Sequence, residues 1–116
     1  MELVSIIIPA YNEEKYIKNT LVSIRSQDYK NIEIITVCNG CVDKTKEIAF
    51  QYSDHVITLK ESNVSTARNA GVESASGEFL VFLDADTIML PQVIATIANK
   101  LNSGSYYGTV SGKLEY

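Results

Sequence analysis

Four short apolar runs alternate with four segments of helical periodicity, and this alternation limits what the chain can become more than any other feature. Val4 to Ile8 is mostly β-branched and lacks polar–apolar alternation, as suits a strand buried on both faces of a parallel sheet; Pro9 ends it. After Pro9-Ala10-Tyr11, Asn12 is placed to cap a helix with Glu13 and Glu14 in its first turn, where carboxylates complement the helix dipole, and Ile17, Leu21 and Ile24 follow at helical spacing. Ile32 to Val37 repeats the strand pattern and runs into the turn Cys38-Asn39-Gly40; Asp43 can then cap a helix containing Ile48, Ala49 and Tyr52. His55 to Leu59 reads as a third strand. Ser65 to Ser74 reads as a helix with a small face (Ala67, Ala70, Gly71) able to pack closely on a sheet, and Gly77 stops it. Phe79 to Leu83, the most apolar strand, leads directly into Asp84-Ala85-Asp86, and Pro91 opens a helix with Ile94, Ile97, Ala98 and Leu101 on one side. Residues 105–116 resemble one more strand.

This order predicts an α/β fold: a doubly wound, mostly parallel sheet with right-handed crossovers and helices on both faces. In such sheets ligands bind beyond the carboxyl ends of the strands, so the loops Pro9 to Asn12, Cys38 to Asp43 and Asp84 to Thr87 are expected along one edge. A length of 116 residues, 46% of them hydrophobic, fits a single domain over 1–116. The 14 acids and 10 bases are interspersed, with a net charge of −4, so no basic face is available for a nucleic-acid backbone. No apolar run reaches the length of a membrane span, and Met1-Glu2 followed by a β-rich segment lacks the basic start and cleavage site of a signal peptide. We therefore expect a cytoplasmic protein, free or peripheral at the cytoplasmic face of the membrane.

Two carboxylates one residue apart, projecting from the end of a buried strand, can hold a hard divalent cation such as Mg2+ or Mn2+ through oxygen, with substrate phosphates completing its coordination. The plainer reading of Asp84 and Asp86 is a helix cap or a solvated turn; the apolar strand before them, which should withdraw them partly from water, favours the cation. Arg68, one of the chain's two arginines, is either a surface base or a contact to a diphosphate or nucleobase. Asp43 is either a helix cap or a nucleoside contact, and Glu13 and Glu14 are most simply first-turn acids. Cys38 and Cys41 are spaced C-x-x-C, but outside this pair the chain offers only His55 toward the four ligands of a structural zinc. A redox pair would open a helix, whereas Asn39-Gly40 makes a turn, so two reduced thiols beside a loop are expected.

Taken together, Ser5-Ile6-Ile7-Ile8-Pro9-Ala10-Tyr11-Asn12-Glu13-Glu14, Asn39-Gly40-Cys41-Val42-Asp43-Lys44-Thr45, Ala67-Arg68-Asn69-Ala70-Gly71 and Gly77-Glu78-Phe79-Leu80-Val81-Phe82-Leu83-Asp84-Ala85-Asp86 resemble the family 2 glycosyltransferases. The resemblance spans residues 5 to 91. It implies the Rossmann-like nucleotide-binding half of a GT-A fold and an inverting transfer from a nucleotide-diphospho-sugar to a saccharide, lipid-phosphate or other acceptor. It also implies a divalent cation held chiefly by Asp86, with Asp84 as a further ligand. Asp84 faces the donor's ribose or sugar side and Ala85 joins the donor-binding set. The loop Pro9, Ala10, Tyr11 to Glu13 matches the nucleoside-binding segment, and Arg68 matches a base near the nucleotide; Asn39 and Asp43 complete the expected donor site.

The chain departs from the family pattern in two places. Cys38 and Asn39 stand where many members carry two adjacent acids; Asn presents a donor as well as an acceptor, which leaves the nucleobase open. The sequence also stops at Tyr116, about where the acceptor-binding half would begin, and neither Glu61 nor Glu115 stands out as the base that an inverting displacement needs. The alternative to an active transferase is therefore a truncated donor-binding module without turnover. An unpaired edge in the tail, residues 106–116, would favour a homo-oligomer. A phospho-receiver reading fails because the first strand ends in Pro-Ala-Tyr-Asn and the acids gather on the fourth.

Overall fold

The computed structural model describes residues 2–61 and 63–102. Its elements are β1 (Val4–Ala10), α1 (Ile17–Arg25), β2 (Ile32–Asn39), α2 (Thr45–Tyr52), β3 (His55–Leu59), α3 (Val64–Ser74), β4 (Phe79–Phe82) and α4 (Val93–Asn102). The strands form one parallel sheet in the order β3-β2-β1-β4. This is the doubly wound α/β arrangement expected. The strand expected over 105–116, with its edge for chain pairing and Glu115, lies outside the described residues. No described helix is long and apolar enough to cross a membrane.

The unbroken β-branched run of β1 is explained by its place between β2 and β4, where Val4, Ile6, Ile7 and Ile8 are fully buried. Successive residues face opposite sides. Ile6 and Ile8 join Ile17, Leu21, Ile24, Ala49, Ile94 and Ala98 in a core beneath α1, α2 and α4, while Ile7 packs with Ile35, Val37 and Ala67 beneath α3. The small face of α3 works as anticipated: a Cβ at Gly71 would collide with Cγ2 of Ile7, so the helix can lie this close only with glycine there.

Four local expectations are corrected. Pro9 does not end β1, which continues to Ala10; pairing with β4 stops at Ile7 opposite Phe82, and a strand with one neighbour tolerates a missing N–H. Asn12 does not cap α1. It adopts φ 50°, its Oδ1 accepts from the Val42 N–H at 2.9 Å, and α1 starts at Ile17 without a side-chain cap or a first-turn acid. Gly77 does not stop α3, which ends at Ser74; it brings the chain against β1, where a Cβ would lie 2.7 Å from the Ser5 nitrogen and 2.8 Å from the Leu3 carbonyl oxygen. Lastly, among the described residues β4 is an edge strand rather than a buried one. Leu80 and Phe82 are 39% and 46% exposed, because α3 covers the sheet over β1 and β2 and does not reach them.

Candidate functional site

β1 pairs with β2 on one side and with β4 on the other, so the strand order reverses between β1 and β4, and the crevice at their carboxyl ends is the natural ligand position. Of the three loops expected on this edge, those after β1 and β2 are tied to each other. The bond from Val42 to Asn12 joins the loops after β1 and β2. Thr45 Oγ1 accepts from the Glu13 N–H at 2.8 Å, and Asp43 Oδ2 accepts from the Glu14 N–H at 3.3 Å. Asp43 Oδ1 accepts from the Thr45 N–H at 2.9 Å and from its hydroxyl. Asp43 therefore does what a cap does and, in addition, braces the neighbouring loop. Burial raises its pKa, but the bonds from Thr45, Glu14 and its own N–H outweigh that, and the carboxyl lies below its ordinary range.

Asn39 is 4% exposed, and its Oδ1 accepts from the Asn63 N–H at 3.0 Å. Only oxygen can accept from a backbone N–H, so this bond fixes which way the amide faces. Asn63 in turn caps α3 by accepting from the Thr66 N–H at 3.1 Å, which makes Asn39 the link between the end of β2 and the start of α3. Arg68 lies one turn into that helix, exposed, and has no ion-pair partner among the described residues. At the end of β1, Ala10 is buried opposite Cys38 and its carbonyl accepts from Cys41 Sγ at 3.2 Å; Tyr11 beyond it is 53% exposed. Both cysteines are free thiols, and burial together with the adjacent Cys41 pushes Cys38 up to about 12.

Beyond β4 the chain turns sharply, with the Thr87 N–H bonded to the Asp84 carbonyl at 3.2 Å. Ala85 at the crest is 3% exposed and packs into the core, while Asp84 and Asp86 project outward on either side of it. The expectation that these acids are withdrawn from water is thus corrected: both are exposed. Their field is still felt across the crevice. Glu13 lies above its ordinary pKa, first through burial and then through Asp86, Asp43 and Asp84. The geometry therefore gathers acids from three loops around the switch point.

What sequence reasoning missed is the support of this turn. The Thr20 hydroxyl, fully buried on α1, donates to the Ala85 carbonyl at 2.9 Å. Gln27, 1% exposed, donates to the Leu90 carbonyl at 2.7 Å and accepts from the Ile94 N–H at 3.3 Å. A signal was present: Thr20 lies on the same helical face as Ile17 and Ile24, where a polar residue must find a buried partner.

Comparison with known proteins bears on the family and the fold. An uncharacterized glycosyltransferase of Rickettsia typhi is 40% identical over 102 residues, covering 86% of this chain and 32% of the relative. Glycosyltransferase GlyA of Streptococcus pneumoniae is 36% identical over 103 residues, covering 84% of this chain and 15% of the relative. The chain thus spans a third or less of these two curated relatives. Among solved structures, S. aureus TarS 1–349 in complex with UDP superposes with a TM-score of 0.78 at 28% identity, over 86% of this chain and 32% of that TarS fragment. TarS has also been solved with UDP-GlcNAc. M. tuberculosis glucosyl-3-phosphoglycerate synthase, solved with Mn2+, UDP and glucosyl-3-phosphoglycerate, shares the fold at a TM-score of 0.73 and 23% identity, over 90% of this chain and 41% of the synthase. The sheet and its crossovers are those of the GT-A nucleotide-binding half. Residues 5–114 match Glycosyl transferase family 2, and the chain belongs to that family.

Proposed function

We propose that the chain is the nucleotide-diphospho-sugar-binding part of an inverting glycosyltransferase that uses Mg2+ or Mn2+. The observation carrying this reading is the position of the Asp84-Ala85-Asp86 turn, at the switch point of the sheet and facing Glu13 across the crevice. The residues suit such an ion: Asp86, with Asp84, offers exposed carboxylate oxygens, the donors that hard divalent cations take. No group of three or more His, Cys, Asp or Glu among the described residues forms a complete cage, so phosphate oxygens and water would fill the remaining positions. When bound, the cation neutralises charge on the departing diphosphate.

Pro9, Ala10 and Tyr11 form the wall against which the nucleoside lies, and Arg68 reaches toward the diphosphate or base. Asn39, with its oxygen engaged by Asn63, offers N–H donors to a base edge that carries a carbonyl oxygen. Uracil meets that requirement, and the UDP and UDP-GlcNAc complexes of TarS support it. Asp43 holds the loop bearing Glu13 and Glu14 in register with the second loop. An acceptor hydroxyl would attack the anomeric carbon while a carboxylate takes its proton; we assign that base to no residue, Glu61 being exposed and apart from the acid cluster that surrounds Glu13.

Calorimetric titration of nucleoside diphosphates and their sugars, with and without Mn2+, tests the reading. We expect metal-dependent binding of at least one, lost in Asp86→Ala. Absence of binding to the whole panel would sink the proposal, and a hydrolysis assay separates transfer activity from donor binding alone.

A further inference from the structure

We propose that Thr20 is the positioning residue of the carboxylate turn, acting through the single peptide group that joins Ala85 to Asp86. The inference rests on the metal reading of Asp84 and Asp86 given above and adds to it the element that aims them.

A threonine within a helix ordinarily turns its hydroxyl back onto its own helix. In α1 the hydroxyl of the fully buried Thr20 reaches the Ala85 carbonyl, 65 residues further along the chain, at 2.9 Å. That carbonyl belongs to the peptide whose nitrogen is Asp86. Holding its plane fixes ψ of Ala85 and φ of Asp86 together, and these angles decide the direction in which the Asp86 side chain leaves the backbone. On the other side, the Ala85 methyl is seated in the core and the turn is closed by the Thr87 N–H on the Asp84 carbonyl. The peptide is thus clamped from inside, with Asp84 and Asp86 exposed to either side.

The same face of α1, together with Gln27 just beyond the helix, secures the following segment. Ser23 Oγ accepts from the Met89 N–H at 2.9 Å, and Gln27 bonds the Leu90 carbonyl and the Ile94 N–H. Thr20 and Ser23 on α1, with Gln27 two residues past its end, register the chain from the acid pair to the first turn of α4. Side chains at a metal site are aimed by such supporting hydrogen bonds, whose loss typically weakens metal affinity by about 10- to 100-fold.

The test uses the 116-residue chain, Mn2+ and UDP, with free Mn2+ followed by its electron paramagnetic resonance signal. Thr20→Val keeps the shape and removes the donor; we expect Mn2+ affinity in the presence of UDP to fall by about tenfold or more, with circular dichroism unchanged, and Thr20→Ser to restore it to within about twofold. If Thr20→Val binds Mn2+ like the wild type while Asp86→Ala does not, the positioning role is overturned and the metal reading stands. Equal weakening in Thr20→Ser also overturns it, since the hydroxyl is then not the cause. A wild type that takes up no Mn2+ removes both readings. Should Thr20→Val fail to fold, hydrogen exchange in the wild type decides: a turn already protected before Mn2+ and UDP are added supports a preset peptide, and protection that arises only on their addition contradicts it.

Discussion

Asp43 spends both carboxylate oxygens on neighbouring donors, and this makes its charge a stabilising feature of the fold. A carboxyl held below its ordinary 3.8 in the folded state contributes fully above that value, and the contribution is lost as pH falls through the lower folded value. Asp43→Asn should therefore melt a few degrees below wild type at neutral pH, with the gap closing in acid; thermal melts at about pH 7 and about pH 2.5 check this. A gap independent of pH would mean that the carboxylate's charge is irrelevant. Glu13 is displaced the opposite way, and its neighbours Asp84 and Asp86 are part of the cause. One residue of the cluster is thus satisfied by protein donors, and another is left crowded by like charge.

Two glycines set how closely elements approach β1. At Gly71 a methyl group would press on Ile7, a buried β-branched side chain, but alanine would gain helix propensity; overpacking of roughly 1–3 kcal/mol less about 1 leaves a net loss of roughly 0–2 kcal/mol for Gly71→Ala. At Gly77 the obstacle is the backbone of β1 and no propensity term offsets it, so Gly77→Ala should lose more, about 2–3 kcal/mol. Urea denaturation of both variants checks the order. The elements were legible because their periods are clean: continuous apolar runs for central strands, and Ile17, Leu21 and Ile24 for α1. What escaped depends on partners far along the chain. Asn12 looked like a cap until Val42 claimed its oxygen, Gly77 looked like a stop until Ser5 lay against it, and the apolar composition of β4 does not tell an edge from a centre. The site was legible at the level of loops, since strand order dictates which ends gather. Thr20 and Gln27 were not, because their roles rest on bonds to residues 85–94.

Over the whole molecule the sheet is covered unequally, with α1, α2 and α4 packed on one face and α3 on the other. Leu80 and Phe82 of β4 lie on the α3 side in register with Ser5 and Ile7, and remain exposed. Phe82→Ser should therefore lower binding of a hydrophobic dye and self-association at high concentration, with a melting temperature within a few degrees of wild type. Dye titration and sedimentation measure both, and a large fall in melting temperature would show that the side chain is part of the core after all.

The sheet order also has a consequence in time. β1 leaves the ribosome before both of its partners and pairs with β2, about 30 residues later, but its other edge stays open until the chain has reached β4. Loop closure over that distance is the slowest contact in the sheet to gain. The acid pair follows β4 immediately, so the crevice comes into being only once β4 has paired, and a nascent chain halted before Phe79 would have β1, β2 and β3 but not the carboxylates proposed to hold the cation and its diphosphate.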